Sequence, residues 1–270
     1  MTEAAIETRQ LTREFGSGAG KLVAVAGVNL SVDAGQFFGF LGPNGAGKST
    51  TIKMLTGLLA PTAGSIRILG KELGEEPIEV KRQIGVVPEE LALYDRLTGA
   101  EHLSFVGRMY GLDRKTAAQR AGELLEYMQL ADRPKTQIAE YSHGMQKKLA
   151  LAAAVIHAPR VLVLDEPFEG VDAIAAGTLK AMLSRMTERG ATIFLTSHVL
   201  EIVERLCSHV AIIHKGKLVA QGSVEELRAG VAAGLGEESE IAGEKLTLEQ
   251  IFLEIVGGRG PAQQELEWLA

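Results

Sequence analysis

Cysteine, tryptophan and long apolar runs are scarce in this chain of 270 residues. Cys207 is the only cysteine, so no disulfide can form within the chain, and we expect it to be a small buried side chain. The most apolar run, residues 149–156, is far shorter than the roughly 20 residues of a membrane-spanning helix. Acids stand at the N-terminus where a secretory signal needs bases. We expect a chain that does not itself cross a bilayer and that works in a reducing compartment.

An excess of basic residues is also absent, because the formal net charge is −6. This charge disfavours a general nucleic-acid-binding surface, and we expect no nucleic acid among the partners. The sequence shows neither an internal repeat nor a run of coiled-coil heptads. With 46% hydrophobic and 23% charged residues, the composition predicts a soluble globular protein with ample core.

Short β-branched runs alternate with longer helical stretches, which predicts an α/β fold with a mainly parallel sheet. Residues 22–32 alternate polar and apolar side chains, which predicts a half-exposed antiparallel strand on the N-terminal side. A helix is predicted at 49–58, before Pro61. The buried strands are predicted at 37–41, 65–69, 84–87, 161–164, 192–196 and 210–214.

The strand pattern stops between residues 89 and 159, where three helices are predicted at 100–110, 115–128 and 145–157. An all-helical block within an α/β chain indicates an inserted subdomain. Residues 230–243 are small, acidic and glycine-rich, which predicts a loop, and 247–256 regain a helical pattern. The predicted parts are an α/β core (1–88 and 160–222), a helical subdomain (89–159) and a C-terminal extension (223–270).

Residues 42–50 have the sequence GPNGAGKST, which fits the pattern G-x-x-x-x-G-K-[ST]. Glycines allow backbone N–H groups to surround phosphate oxygens, and the following helix presents its positive end. Lys48 would neutralise the β and γ phosphates, and the Ser49 hydroxyl would hold Mg²⁺. A predicted strand precedes the loop and a helix follows it, as a phosphate site requires. The predicted nucleotide-binding residues of the loop are Gly42, Pro43, Asn44, Gly45, Ala46, Gly47, Lys48, Ser49 and Thr50.

Two carboxylates follow the apolar strand in VLVLDEP, residues 161–167. Parallel sheets bind ligands at the carboxyl ends of their strands, so Asp165 is predicted to hold Mg²⁺ and Glu166 to orient or deprotonate the attacking water. His198 follows the strand at 192–196 and should emerge at the same edge. A lone histidine is usually structural, but this position favours a contact with the γ-phosphate. The predicted catalytic residues are Lys48, Glu166 and His198.

A second helix start suited to an anion occurs at residues 141–146, YSHGMQ. Ser142 is a favourable N-cap, and Gly144 permits a close backbone approach. A capped helix with no ligand explains the same residues, and this segment alone leaves the two interpretations open.

In this order, the phosphate loop, YSHGMQKK, VLVLDEP and TSH resemble the ATP-binding subunit of ABC transporters over about residues 6–228. The resemblance implies a P-loop NTPase core with a mainly parallel sheet, an antiparallel β subdomain on the N-terminal side and an inserted all-helical subdomain. It implies that Phe15 stacks on adenine and that His198 is the switch histidine. It assigns residues 142–145 to the signature motif and Asp172 to the loop after the second carboxylate. It further implies a head-to-tail dimer in which Ser142 and Gly144 cap the partner's ATP.

This chain departs from the family pattern at two places. Tyr141, His143 and Met145 replace three residues of the usual signature LSGGQ. Glu89 stands where the family usually has glutamine; it can still hold water or Mg²⁺, but it adds negative charge near the phosphates. ALYDRLTG and LTLEQIFLEIVG are similar to bacterial subunits that serve drug, lipid or polysaccharide exporters with separate membrane proteins.

The resulting hypothesis is an ATPase subunit that binds ATP and Mg²⁺ and drives an integral membrane permease from the cytoplasmic face. The main alternative is a soluble ABC ATPase that acts in protein or cofactor assembly without transport. A nucleic-acid-remodelling member of the family is disfavoured, because the chain lacks a coiled-coil insertion, zinc-binding cysteines and a second cassette. The guanine-reading motif of P-loop GTPases is absent as well.

Overall fold

A computed structural model describes residues 4–16, 20–235 and 246–257. Within these ranges two β-sheets combine with nine α-helices. The strands are β1 (Ala4–Phe15), β2 (Leu22–Asp33), β3 (Phe37–Leu41), β4 (Ala63–Ile68), β5 (Lys71–Glu72), β6 (Ile84–Val87), β7 (Val161–Asp165), β8 (Thr192–Thr196), β9 (His209–His214) and β10 (Lys217–Ser223). The helices are α1 (Lys48–Leu55), α2 (Pro77–Lys81), α3 (Gly99–Met109), α4 (Arg114–Tyr127), α5 (His143–Val155), α6 (Ala173–Glu188), α7 (Leu200–Leu206), α8 (Val224–Leu235) and α9 (Leu248–Val256).

The larger sheet has the strand order β10-β9-β3-β8-β7-β6, and all its neighbouring strands are parallel except β10 with β9. Strands β3, β7 and β8 are buried along their whole length, which explains their nearly continuous apolar sequences. Their parallel pairing brings the carboxyl ends of β3, β7 and β8 to one edge. The predicted α/β class and mainly parallel sheet are confirmed.

The smaller sheet is antiparallel and has the order β2-β1-β4-β5. The antiparallel strand predicted at 22–32 is confirmed as β2. Strands β1 and β10 were not predicted, because charged and polar residues in both interrupt the apolar pattern that marks a strand, and the two-residue β5 is too short to show such a pattern. Strand β1 pairs with β4, which is distant in sequence, and β10 forms a hairpin with β9. The periodicity of a sequence does not reveal such pairing.

Helices α3, α4 and α5 lie between β6 and β7, each within two residues of its predicted bounds. Their faces surround buried Leu103, Leu125 and Leu149, which belong to the same core as β7 and β8. Thr98 and Asp113 cap α3 and α4 through side-chain oxygens. The exact limits of the inserted subdomain stay a prediction.

Two predictions about helices are corrected. The helix predicted at 49–58 ends at Leu55, because Gly57 turns the chain with a φ of +66°. The loop predicted at 230–243 is wrong for residues 230–235, which continue helix α8. A single glycine, Gly230, is tolerated there because its neighbours are good helix formers. Residues 236–243 lie outside the described residues.

The C-terminal part packs on the core through α9. Thr247 caps α9 with a capping box, and Leu248 and Ile251 are fully buried. Arg228 of α8 forms an ion pair with Glu204 of α7, whose carboxylate also accepts a hydrogen bond from the Leu248 N–H at 3.3 Å. Across 4–16, 20–235 and 246–257, no helix combines the length and apolar character needed to cross a membrane. Cys207 is buried as expected, and burial raises the pKa of its thiol.

Candidate functional site

Two glycines shape the loop between β3 and α1. A side chain at Gly42 would put its Cβ 2.4 Å from the Ile213 carbonyl oxygen, and one at Gly47 would lie 2.5 Å from the Ala24 carbonyl oxygen. Gly47 also has a φ of +109°, a conformation that L-residues rarely adopt. The loop therefore curls tightly against β2 and β9. Its backbone leads directly into α1, whose first N–H groups and positive end suit a phosphate.

Lys48 is the first residue of α1, and its side chain turns back into the loop. Its Nζ donates to the carbonyl oxygens of Gly42 at 2.6 Å and Pro43 at 3.3 Å. Burial lowers the pKa of Lys48, while the nearby carboxylates of Glu166, Asp165 and Glu89 oppose that change. A phosphate is a stronger partner for this ammonium group than two neutral carbonyls. The loop thus holds a cation ready for an anionic ligand.

Asp165 ends β7 at the same sheet edge and is only 4% exposed. The Thr196 hydroxyl, at the end of neighbouring β8, donates to Asp165 Oδ1 at 2.6 Å and accepts from the Glu166 N–H at 3.2 Å. Sequence reasoning missed Thr196. The available signal was a polar residue at the end of an otherwise apolar strand, beside the strand that carries the carboxylates.

Glu166 and His198 meet directly. Glu166 Oε2 accepts from the His198 backbone N–H at 3.2 Å and lies 3.0 Å from ring Nδ1. When Nδ1 carries the proton in this contact, Nε2 remains available to a ligand. The Glu166 side chain is 11% exposed and that of His198 is 54% exposed. The carboxylate is therefore a mostly enclosed acceptor, and the histidine is its more open neighbour.

Ser142 is the N-cap of α5, and its Oγ accepts a hydrogen bond from the Met145 N–H at 3.4 Å. Asp172 caps α6 by accepting the N–H groups of Ile174 and Ala175, each at 2.9 Å. A Cβ at Gly144 would lie 3.5 Å from Asp172 Oδ2. The starts of α5 and α6 are therefore neighbours. In the part of the chain that the structure describes, no hydrogen bond joins Ser142 to the phosphate loop.

Phe15 ends β1 and pairs with Leu22 of β2, the strand that also lies against Gly47. Phe15 is 37% exposed, and the Arg13 guanidinium carbon lies 4.7 Å from the centroid of its ring. One aromatic face is thus used in a cation–π contact near the phosphate loop. Whether Phe15 stacks on a base stays a prediction.

Glu89 is exposed and follows β6, at the start of the segment that leads into α3. Its carboxylate is close enough to act electrostatically on Lys48 and on Lys147. Lys147, a second residue that sequence reasoning missed, is buried and donates to the Glu166 carbonyl oxygen at 3.0 Å. Its position within an apparently ordinary amphipathic helix offered no signal.

Comparisons with known proteins agree with one another. A family model described as ABC transporter matches residues 25–169. The linearmycin resistance ATP-binding protein of Bacillus subtilis (strain 168) is 42% identical over 208 residues, 77% of this chain and 67% of that protein. A probable multidrug ABC transporter ATP-binding protein of Escherichia coli (strain K12) is 34% identical over 254 residues. That alignment covers 94% of this chain, which spans 42% of the relative's length.

Solved structures share the fold. An ATP-binding subunit of an ABC transporter superposes with a TM-score of 0.81 and 32% identity, covering 93% of this chain and 99% of that one. A dimeric ATP-binding cassette in a post-hydrolysis state, bound to ADP and Pi, gives a TM-score of 0.75 and 23% identity. That match covers 81% of this chain and 98% of the other, and at this identity it supports the fold alone.

Proposed function

The chain is an ATP-hydrolysing member of the ABC transporter family, and on that premise we propose that it powers export through a separate membrane permease. The observation that carries the proposal is an apolar groove of about 290 Å³ beside the start of the helical insertion. Its lining includes Pro88, Tyr94, Phe105 and Met109. Tyr94 is 53% exposed and Met109 is 72% exposed. Apolar surface of this kind, next to an ATP site, suits a protein partner that responds to nucleotide.

Export is the proposed direction of transport because the names of two relatives refer to resistance and to multidrug transport. One is a linearmycin resistance protein, and another is a probable multidrug transporter protein. Moving a compound out of the cell is one way in which a transporter confers resistance to it. The subunit then works as a peripheral protein on the cytoplasmic face of the membrane, and the permease alone contacts the cargo.

Hydrolysis is assigned to the residues at the sheet edge. The loop of residues 42–50 and the Lys48 ammonium bind the β and γ phosphates. Glu166 orients the attacking water and accepts its proton, because its carboxylate is enclosed and held by the His198 backbone N–H. His198 contacts the γ-phosphate through the ring nitrogen that does not face Glu166. Lys48 offsets the charge that develops on the phosphate oxygens.

Mg²⁺ fits the oxygen ligands of this edge. Asp165 offers a carboxylate of which only Oδ1 is engaged by Thr196, and the Ser49 hydroxyl lies in the first turn of α1. Carboxylate and hydroxyl oxygens are ligands that Mg²⁺ prefers in nucleotide sites. When bound, the ion neutralises charge on the β and γ phosphates. Glu89 is a candidate for an outer contact through water.

A second copy of the chain completes the site in this proposal. Ser142 and Gly144 lie at the start of α5, away from the hydrogen bonds of their own phosphate loop, so they are available to cap ATP held by a partner. Asp172, beside Gly144, would lie at the same interface. A related cassette of the same fold is known as a dimer bound to ADP and Pi.

The dimer and the catalytic base are tested together with Glu166→Gln. An amide cannot accept the proton, so we expect ATP to bind and turnover to fall by about a hundredfold or more. With hydrolysis blocked, a dimer should accumulate in Mg-ATP and not in Mg-ADP, as measured by size-exclusion chromatography with light scattering. Rapid turnover by this variant would move the base elsewhere, first to His198. A monomer in Mg-ATP would oppose the dimer.

The transport proposal predicts a polytopic membrane protein in a neighbouring reading frame, and it is tested by co-expressing that protein with this chain. We expect the two to copurify, and we expect ATP-dependent movement of a drug-like substrate in inside-out vesicles that Glu166→Gln abolishes. The alternative is a soluble ATPase acting in protein or cofactor assembly. It predicts copurification with soluble partners, and ATP turnover that no membrane protein stimulates.

A further inference from the structure

Lys147 is a buried cation inside the helical insertion. It lies five positions after Ser142 on α5 and is only 2% exposed. Its Nζ donates to the main-chain carbonyl oxygen of Glu166 at 3.0 Å. Burying an ammonium group is costly unless it is paired and hydrogen-bonded, so this position needs a compensating partner. The proposed catalytic residue supplies it.

The backbone of Glu166 is held in an unusual conformation. Its φ is +47°, in the left-handed region that residues other than glycine seldom adopt. Its N–H donates to Thr196 Oγ1 at 3.2 Å, and its carbonyl oxygen also accepts from the Glu169 N–H at 3.3 Å. Non-glycine residues persist in this region only when their surroundings fix them. Lys147 is the contact that fixes this peptide from the side of α5.

Electrostatics supports the same assignment. Burial lowers the pKa of Lys147, while the carboxylates of Glu169, Glu166 and Asp165 oppose that change. A neutral side chain would leave these carboxylates without the cation. Charge balance alone could be met by any buried cation, however, and it does not require a bond to one particular carbonyl. The hydrogen bond to Glu166 therefore makes the argument specific.

We propose that Lys147 is a positioning residue for ATP hydrolysis, which holds the Glu166 peptide so that its carboxylate faces the attacking water. Because Lys147 and Ser142 lie on one rigid helix, the bond also ties Glu166 to the helix start that would cap the partner's ATP. A shift of α5 on dimerisation then acts directly on the catalytic carboxylate. This inference rests on the role of Glu166 proposed above.

The test compares three variants of the full chain in steady-state ATP hydrolysis. In Lys147→Met we expect kcat to fall by about ten- to a hundredfold, because a small misplacement of a catalytic group has effects of this size. The KM for ATP should stay within about twofold, since Lys147 does not contact nucleotide. Lys147→Arg should recover most of kcat. Lys148→Met is the matched control, because Lys148 is the next residue, is 8% exposed and has no side-chain hydrogen bond within the described residues.

A double mutant separates positioning from general structural damage. In a Glu166→Gln background the base is already lost, so adding Lys147→Met should lower the residual rate by no more than about twofold. Damage to the fold would instead lower it by the same factor as in the wild type. Melting temperatures are measured for every variant. If Lys147→Met does not fold, Lys147→Gln is used in its place. The same results are expected, because the glutamine side chain is too short to reach the Glu166 carbonyl oxygen.

The outcomes distinguish this inference from the proposed base. Rapid hydrolysis by Glu166→Gln overturns the base and the positioning role with it. Slow hydrolysis by Glu166→Gln combined with equal kcat in Lys147→Met and Lys148→Met leaves the base standing and overturns the role of Lys147. An arginine variant as impaired as the methionine variant, or fully additive losses in the double mutant, also overturns it.

Discussion

Two buried lysines, Lys48 and Lys147, lie close enough to the carboxylates of Asp165 and Glu166 to interact with them electrostatically. Lys48 comes from the start of α1 and Lys147 from α5, so each cation links the sheet edge to a different helix. For both lysines, burial lowers the pKa and the nearby carboxylates oppose that change. The charged state of each lysine therefore depends on the carboxylates beside it. Removing one charged group from such a buried cluster should therefore perturb the remaining charges more than removing one partner of an exposed ion pair.

Lys48→Ala should lower kcat for ATP hydrolysis by about a hundredfold or more, because the γ-phosphate loses its fixed counter-charge. The fold should survive, since the ammonium bonds only to carbonyls of a loop. Lys53→Ala on the exposed face of α1 is the control and should hydrolyse ATP like the wild type. Wild-type turnover in purified, folded Lys48→Ala would reject the phosphate-loop assignment.

Among single residues, the sequence predicts those that belong to a motif of fixed spacing, such as the phosphate loop. Lys48 stands in the specific phosphate-loop pattern. Many buried strands end in an acid, so Asp165 and Glu166 are predicted as site residues only because that loop is in the same chain. Thr196 and Lys147 could not be found in that way, because each reaches the site only through a contact made between distant parts of the chain. A threonine in a strand and a lysine in a helix are ordinary until the fold brings them to Asp165 and Glu166.

Helix α5 connects the functional parts of the molecule at the level of elements. Its N-terminus carries Ser142, its second turn carries Lys147, and His157 follows its C-terminus. His157 stacks on Tyr110, with ring centroids 3.6 Å apart, and its Nε2 lies 3.1 Å from the Ile84 carbonyl oxygen of β6. The helix is thereby attached to the sheet near both ends. A rigid element fixed in this way can transmit movement from one end to the other.

Ser142→Arg should strongly reduce hydrolysis while the ATP affinity of the monomer stays within about threefold of wild type. The reason is that a long cation at this helix start would block the partner's phosphate, whereas the phosphate loop of the same chain is untouched. Thr247→Arg, which removes the cap of α9, controls for loss of an N-cap, worth about 1 kcal/mol. Equal loss of affinity and turnover in Ser142→Arg would mean that this helix caps ATP in its own subunit.

His157 should make stability depend on pH. Burial lowers its pKa from 6.5 to about 4, and Arg120 contributes in the same direction. The folded state therefore favours the neutral ring, so the unfolded chain binds the proton more readily and stability falls as pH drops from 6.5 towards 4. The loss should be about 1–2 kcal/mol, allowing for the partly exposed ring. Melting temperatures of the wild type and His157→Gln across this interval should converge at low pH; parallel curves would contradict the assignment.

The sequence predicts β6 and β8 at their observed bounds, but helices α2, α6 and α7 are not among its predictions. Strands β1 and β10 escaped prediction because their charged residues hide the pattern, and pairing with β2 and β9 decides their conformation. Residues 230–235 of helix α8 are predicted as a loop because of their glycine content, whereas contacts of α8 with α9 and β10 support the helix.

In the whole molecule, the ATP site and the apolar groove share the segment after β6. Glu89 stands at the site end of this segment, and Tyr94 lies five residues further along. Tyr94 packs edge-on against Phe105 of α3, with centroids 5.3 Å apart, whereas Leu103 on the same helix is fully buried. Helix α3 is therefore anchored in the core by Leu103, while Tyr94 and Phe105 form the exposed aromatic edge of the groove. A backbone movement at Glu89 can therefore be transmitted to Tyr94 through the short segment that separates them.

Tyr94→Glu and Met109→Glu should abolish stimulation of ATP hydrolysis by the permease while leaving basal hydrolysis within about twofold of wild type. Both side chains are exposed, so a carboxylate there costs little in the free subunit, but it would be buried without a partner at an apolar interface. Ile78→Glu, on α2 and 67% exposed, introduces the same charge at an apolar surface position elsewhere. It should couple normally. The measurement is ATP turnover with and without the permease in vesicles, beside the amount of subunit retained. If Tyr94→Glu and Met109→Glu bind and couple as Ile78→Glu does, the permease docks on another surface, because a groove essential to the contact could not accept two buried charges unchanged.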